Sequence, residues 1–541
     1  MAPILAADPA IHHIEVNRRV FPKRQVKSPT TSKLSVIDAT VARFTPTAAI
    51  WLYDKPKITR QSPNDLFNTI THALSQTLVD YPHFAGQIQW ATEDLVKDDV
   101  VPDISVGPWW FTAPLMILGS SWSFVKYDVN LDCVIPSRDE RAAQLKEWIA
   151  SGFPQSDFLP PTKIALMSLD AIDGFPAMAV QLTTFKCGGF GISAKISHTL
   201  ADAITLVNFM HSWAARSRMI LGEEAGSSGL ELLKPVFDPS QLDKVAGLRH
   251  GSSPDPEKIA KARSLPMHRF DWWAEEAPGF PVAVKINSQA TMPPPDELSR
   301  IELSPSTFPP WETWDMGATV DHAQIRFTAD ELARMKDAAQ ASLPDNLKSL
   351  RISRLDAALG HIWTLINRAR GHQGHEESVY MDITLGLRNR VSLPLPGNFV
   401  GSPLLLGYIE KTGDDAATQE LGSAAGAIRQ MMSRFTPDAV AAYIHDAAQE
   451  VSPQRLWQAF LGSHHTLVTS WVKARTYEVD FLGTGDLARY AQGVMPKIDG
   501  LVQVMDVGDT GDFDVSLCIK QDAMDRLLKD SLLRRYAGSD F

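Results

Sequence analysis

The chain has 541 residues, 44% of them apolar and 21% charged, and its 52 Lys and Arg against 63 Asp and Glu leave a net charge of −11. Such a composition fits a globular protein of roughly two to four domains, while the acidic balance argues against a general nucleic-acid binder, which needs a basic face. Three widely spaced cysteines, Cys133, Cys187 and Cys518, exclude a disulfide framework and suit a reducing compartment; with no signal-peptide core and no run of ~18 apolar residues, a cytoplasmic protein without a membrane span is expected.

Residues 1–33 read as a loosely held basic arm, with Arg18, Arg19, Lys23, Arg24 and Lys27. From Leu34 the apolar residues predict a strand, broken at Phe44, Thr45 and Pro46. Ser62 and Pro63 make a helix start, N-cap followed by Pro at the first helical position. Leu66, Ile70, Leu74 and Leu78 then keep one helical face until Tyr81 and Pro82. Acidic, Pro-containing loops occupy 91–115, and strands are expected at 164–167 and 177–185. Residues 222–318 change character: segments such as GSSPDPEK and TMPPPDEL show little regular period. They read as an inter-domain connection whose length requires some short packed elements.

The second half opens with an expected strand at 320–327, and Thr328 with Glu331 forms a capping box for the next helix. Lys348, Arg351 and Arg354 cluster at the entry of a further helix, marked by Leu355, Leu359, Ile362 and Ile366 and ended by Gly371. A strand is expected at 379–387. Two more flank the Asp-Gly turn GDTGD, before a helix carrying Leu527, Leu528, Leu532 and Leu533.

The stretch KCGGFGISAKISHTLADA holds the chemistry. Ile192, Ala194 and Ile196 alternate with Ser193, Lys195 and Ser197, the period of a half-buried strand. Ala203, Leu206, Val207 and Met210 then recur at helical spacing, so His198 falls at a strand–helix junction, with Asp202 four residues on. A rigid junction can aim an imidazole into a cleft, and imidazole takes protons near neutral pH. A structural histidine and a plain helix N-cap aspartate explain the same pair locally. Two other patterns carry less. Gly483 to Ala488, GTGDLA, matches a dinucleotide fingerprint but lacks a clear βαβ continuation. His464 and His465 are adjacent, so their side chains diverge, and no metal site is expected.

The run QLTTFKCGGFGISAKISHTLADAITLVNFMHSWA resembles the BAHD acyltransferases, a plant and fungal family that moves acyl groups from coenzyme A to alcohols and amines. Four further segments resemble the same family in order: LSVIDATVARFTPTAAIWLYDKP, YPHFAGQIQW, VYMDITLGLRNRVSLPLPGNFVGSPLLL and TSWVKARTYEVDFLGTGD. Together they span nearly the whole chain. The resemblance implies two similar α/β domains of the chloramphenicol-acetyltransferase type, each a mixed sheet flanked by helices, with the active site between them. It divides the chain into 1–225, a crossover over 226–317, and 318–541. It implies a monomer that uses acyl-CoA as co-substrate and a small-molecule alcohol as acceptor, with O-acylation or N-acylation as the reaction and no metal.

On that resemblance His198 is the general base and no covalent intermediate forms, because the thioester is already activated. Asp202 points away and pairs with an arginine. Arg388 and Arg390 qualify, taken as two residues apart on one strand face, and Arg390 is preferred. Asp480 opens DFLGTG, against the family's DFGWG; Leu482 is extra and Thr484 stands for the tryptophan. Thr469 and Thr45 are candidates for contacting the oxyanion or substrate. Lys348, Arg351 and Ser353, at a helix N-terminus, are candidates for the phosphates of CoA. The rival readings are a condensation domain, from whose HHxxxDG motif Ser197 and Ala203 depart, and a non-catalytic binding protein of the same fold.

Overall fold

The computed structural model describes residues 12–24, 31–42, 44–56, 63–90, 111–114, 119–143, 146–165, 174–222, 234–247, 253–285, 299, 302–450, 455–508 and 510–538. Ser62, the loops at 91–110, parts of the basic arm and crossover, and Asp509 of the GDTGD turn lie outside these residues.

Two mixed sheets organise the molecule. The first runs, in spatial order, His12–Val20, Ser120–Tyr127, Met178–Phe185, Phe190–Ile196, Thr47–Tyr53 and Tyr490–Gly493. The second runs Leu404–Thr412, Ser378–Gly386, His465–Ser470, Leu501–Asp506, Phe513–Lys520, Val320–Phe327 and Glu147–Ile149. Each therefore takes one strand from across the boundaries drawn at 225 and 318. Glu147–Ile149 pairs antiparallel with Val320–Phe327, and Tyr490–Gly493 pairs antiparallel with Thr47–Tyr53. The exchanged strands meet where Trp148 and Tyr490 pack edge to face, ring centroids 5.8 Å apart. Aromatic pairs at such separations hold well beyond their buried area, so the two halves share one interior.

Several local expectations change. Part of the basic arm is an edge strand, His12–Val20, paired antiparallel with Ser120–Tyr127. The apolar run after Leu34 is a short helix, Val36–Thr40, and the strand begins only at Thr47. The cause is a capping box: Ser35 Oγ accepts from the Asp38 N–H at 3.0 Å, and the Asp38 carboxylate accepts from the Ser35 N–H. Local hydrogen bonding of this kind outweighs apolar patterning over five residues. Residues 164 and 165 are not strand. Phe190–Ile196 is buried on both faces rather than one; Lys195, turned to the polar side, donates to the Pro160 carbonyl at 2.6 Å. Elsewhere helix signals hold, as with the capping box of Thr328 and Glu331 and the left-handed Gly371 that ends Arg354–Arg370. The last helix, Gln521–Leu528, stops before Leu532. Among the described residues no helix is long and apolar enough to cross a membrane.

Candidate active site

Strand Phe190–Ile196 ends two residues before His198, and helix Ala203–Ile220 begins five residues after it. His198 Nδ1 lies 3.0 Å from Ser402 Oγ, and its ring meets that of Phe44 edge to face at 5.1 Å. Ser402 is itself fixed, its N–H donating to Asp38 Oδ1 at 2.7 Å. If Nδ1–H donates to the serine oxygen, Nε2 keeps its lone pair for a substrate. Burial pushes the His198 imidazole down to about 4, with the Asp202 charge opposing only in part. It is therefore neutral near pH 7, the state a proton acceptor needs. Ser402 and Asp38 were not singled out in the sequence. Ser402 sits in the GNFVGSPLLL run, but only the folded chain brings it to a residue 204 positions away.

Asp202 serves two purposes. As N-cap, its Oδ1 accepts from the Thr205 N–H at 2.9 Å. It also receives both Nη atoms of Arg388, with Arg388 Nη2 3.0 Å from Oδ1. Burial raises the Asp202 carboxyl, but the charge and hydrogen bonds of Arg388 outweigh it and hold the group below the ordinary carboxylate range. The partner is thus Arg388 and not the preferred Arg390. Strand Ser378–Gly386 ends before either residue, and 388–390 form a turn, so the two side chains diverge. Arg390 donates instead to the carbonyls of Met432 and Phe435, at 2.9 and 3.2 Å, at the end of helix Leu421–Arg434.

Beside His198 opens a cavity of about 470 Å³. Its walls come from both halves: Thr45 and His198 from the first, Thr384, Arg388 and Thr469 from the second. Thr45 and Thr469 therefore share a space with His198. The crossover supplies Trp272 and Trp314, which no sequence signal marked; beside them stand Trp457 and Phe460. These rings belong to one aromatic cluster, with Trp272 and Trp457 edge to face at 5.5 Å and Trp314 and Phe460 at 5.4 Å.

Asp480 stands elsewhere. Its carboxylate accepts from the backbone N–H of Leu482, Gly483 and Gly485, each at 2.9 Å. Both glycines have positive φ, 71° and 70°, which an ordinary residue adopts at a cost. The loop docks on the first half through Tyr53, whose hydroxyl donates to the Val479 carbonyl at 2.6 Å. No helix follows Gly483; strand Tyr490–Gly493 does, and a dinucleotide site needs that helix.

Lys348, Arg351 and Ser353 are not among the residues lining the cavity. Lys348 pairs with Asp345. The Ser353 hydroxyl caps its own helix, accepting from the Asp356 N–H and donating to the Asp356 carboxylate at 2.8 Å. Asp356 is in turn paired with Arg429. The helix N-terminus expected to hold a phosphate is already occupied by the chain's own carboxylate.

The Transferase family model matches residues 12–97, 153–247 and 277–532. Acyltransferase AFT15-1 of Alternaria alternata is 25% identical over 475 residues, covering 87% of this chain and 85% of the relative. Acyltransferase abl6 of Leptosphaeria maculans is 26% identical over 453 residues, covering 82% and 80%. The structure of F. graminearum TRI101 complexed with ethyl coenzyme A superposes with a TM-score of 0.64 at 15% identity, over 94% of this chain and 99% of that one, a likeness of fold. The chain belongs to the Transferase family, that of the BAHD acyltransferases.

Proposed function

We propose that the chain transfers an acyl group from acyl-CoA to a hydroxyl of a specialised metabolite, with His198 as general base. The observation that carries this reading is a neutral, half-buried imidazole, tethered at Nδ1 by Ser402, on the wall of a cavity built from both halves. The acceptor hydroxyl gives its proton to His198 Nε2 as its oxygen bonds to the thioester carbon. The resulting oxyanion collapses, the C–S bond breaks, and the thiolate leaving group takes the proton back from the imidazolium. Thr469 and Thr45 are the hydroxyls in the cavity available to donate to the oxyanion or orient the acceptor. CoA as donor is supported by the ethyl coenzyme A held by the TRI101 neighbour.

The cavity also bears on the acceptor. Its size is that of a site for a drug-sized molecule, and its aromatic walls suit a largely apolar one. Its ionic groups, Asp202 and Arg388, are spent on each other. A neutral, ring-containing alcohol fits such a space better than a small polyamine or a free acid.

The test is His198→Ala, assayed by thiol release from acetyl-CoA with a panel of apolar alcohols. Turnover should fall on the order of 10²–10⁴-fold with an unchanged circular dichroism spectrum. Activity within a few-fold of the unaltered chain would remove His198 from the chemistry.

A further inference from the structure

Away from the cavity, three residues distant in sequence meet inside the second half. Asp382 lies on strand Ser378–Gly386 and His465 opens the parallel strand beside it. His268 arrives from the crossover, two residues before Phe270. His268 Nε2 is 3.1 Å from Asp382 Oδ1, and His465 Nδ1 is 3.1 Å from Asp382 Oδ2. One ligand atom from each residue lies within 4.8 Å of the others. His464, its neighbour, turns away toward Glu377.

Two features set this cluster apart from an ordinary polar contact. First, only the His465 contact is aligned as a hydrogen bond. His268 Nε2 and Asp382 Oδ1 are both buried, and neither has a hydrogen-bond partner. Such orphaned atoms are uncommon in folded proteins and call for an explanation. Second, Asp382 is 0% exposed, and among the described residues no Lys or Arg pairs with it. Two imidazoles, neutral unless protonated, are its ion-pair partners. A buried carboxylate without a counter-charge is strongly disfavoured. The buried Asp202 illustrates the ordinary solution, a guanidinium.

The rings are also held in place. His268 stacks between Phe270, at 4.7 Å, and Tyr408, at 4.2 Å, while His465 stacks on Tyr380 at 4.7 Å. A cavity of about 30 Å³ reaches His268, which is room for one water molecule. Two imidazole nitrogens and a carboxylate, pre-oriented, with a water-sized space bordering His268, form the donor set of a four-coordinate borderline metal ion.

We propose that His268 Nε2, His465 Nδ1 and the Asp382 carboxylate bind one Zn²⁺ ion, with a water as fourth ligand. Magnesium and calcium suit the set poorly, since both prefer oxygen donors. The ion supplies the positive charge that Asp382 lacks and satisfies both orphaned atoms. It ties the crossover to two central strands of the second sheet. Trp272, four residues after His268, is thereby fixed as a cavity wall. The role is structural and independent of acyl transfer.

The full chain, expressed in zinc-supplemented medium and freed of any affinity tag, is dialysed and its metal content measured by mass spectrometry. About one zinc per chain is expected, falling about tenfold or more in His268→Gln and Asp382→Asn. Chain prepared under zinc depletion should gain thermal stability on adding Zn²⁺. With Co²⁺ it should show the visible absorption of a four-coordinate ion. The unaltered chain is sufficient for the decisive measurement, so a variant that fails to fold does not remove the test. Folded chain with less than about a tenth of an equivalent of zinc, and no change in melting temperature with either ion, overturns the site. The three residues would then share a proton and not a metal.

Discussion

Asp202 and Asp480 are the aspartates of two segments that resemble the family's motifs, and the fold uses them in opposite ways. Asp202 reaches across the molecule to Arg388, 186 residues away, and its carboxylate is buried between the halves. The Asp480 carboxylate stays within its own loop, where three backbone N–H groups within five residues donate to it; only the Asp480 carbonyl reaches further, accepting from Arg218. One carboxylate joins the halves behind His198, and the other shapes a single loop. The contrast predicts that Asp202 needs its partner's charge, whereas Asp480 needs only its own backbone.

Acid should act first on neither of them. Arg388 holds the Asp202 carboxyl below the ordinary carboxylate range, so the pair survives mild acid. The buried imidazoles do not have this protection. Burial pushes His83, His198, His211, His322, His361 and His372 each down to about 4, while in the unfolded chain a histidine titrates near 6.5. Between those values the unfolded chain binds more protons than the folded one, so stability rises with pH across the window. It is fully present above about 6.5 and is lost as pH falls toward 4. Melting temperatures should drop steeply over that range, the largest effect expected here. A flat profile from pH 7 to 4.5 would show that the imidazoles are not held neutral.

Breaking the long-range pair comes next. Arg388→Ala leaves a buried carboxylate unpaired, at about 3–5 kcal/mol, and Asp202→Asn leaves the guanidinium in the same position. The double variant should be no worse than the worse single, as residues in direct contact are not additive. Arg390→Ala should not couple to Asp202→Asn. Chemical denaturation of the three single and two double variants decides between the arginines, and additive losses for Arg388 and Asp202 would mean that the pair contributes nothing.

The two arginines also mark where the sequence stops being readable. His198, Asp202 and the capping box of Thr328 and Glu331 were legible because their signals are local, a change of period or a cap within four residues; the boxes at Ser35 and Ser353 went unread. The sheet strands were legible where the segment was long, as over the eight residues of Val320–Phe327. The choice of Arg388 over Arg390 was not, because the turn at 388–390 replaces an assumed strand and redirects every side chain after Gly386. Ser402, Asp38 and the wall of Trp272 and Trp314 arise from contacts more than a hundred residues long, which no local period encodes. The strands exchanged between the sheets, Glu147–Ile149 and Tyr490–Gly493, are three and four residues long. So short a segment has too few alternations to announce itself.

For Asp480 the local reading makes a smaller claim. Asp480→Ala removes three charge-assisted hydrogen bonds from one exposed loop, and water can take over part of each. A loss of about 2 kcal/mol is expected, with KM for the acceptor unchanged, because the loop is not part of the cavity wall. Asp480→Asn keeps an acceptor oxygen and should recover about half of that loss. If Asp480→Ala instead raised the acceptor KM severalfold, the loop would have to reach the substrate.

The smallest effect belongs to the basic cluster. Lys348 and Arg351 would be natural phosphate ligands if the helix N-terminus beside them were free, but the Asp356 carboxylate already accepts from the Ser353 N–H, and the Ser353 hydroxyl from the Asp356 N–H. Arg429 balances that carboxylate at the same oxygen, Oδ2, so a CoA phosphate would meet a filled cap. Lys348, paired with Asp345 at an exposed site, adds only a screened surface charge. Reversing Lys348 and Arg351 to Glu together should therefore change KM for acyl-CoA by less than about threefold at physiological ionic strength, and by slightly more in low salt, where the Debye length grows toward 30 Å. Measured across salt concentrations, a tenfold rise in the acyl-CoA KM with the acceptor KM constant would return the phosphates to this helix, and would require Asp356 to give up its cap when the donor binds.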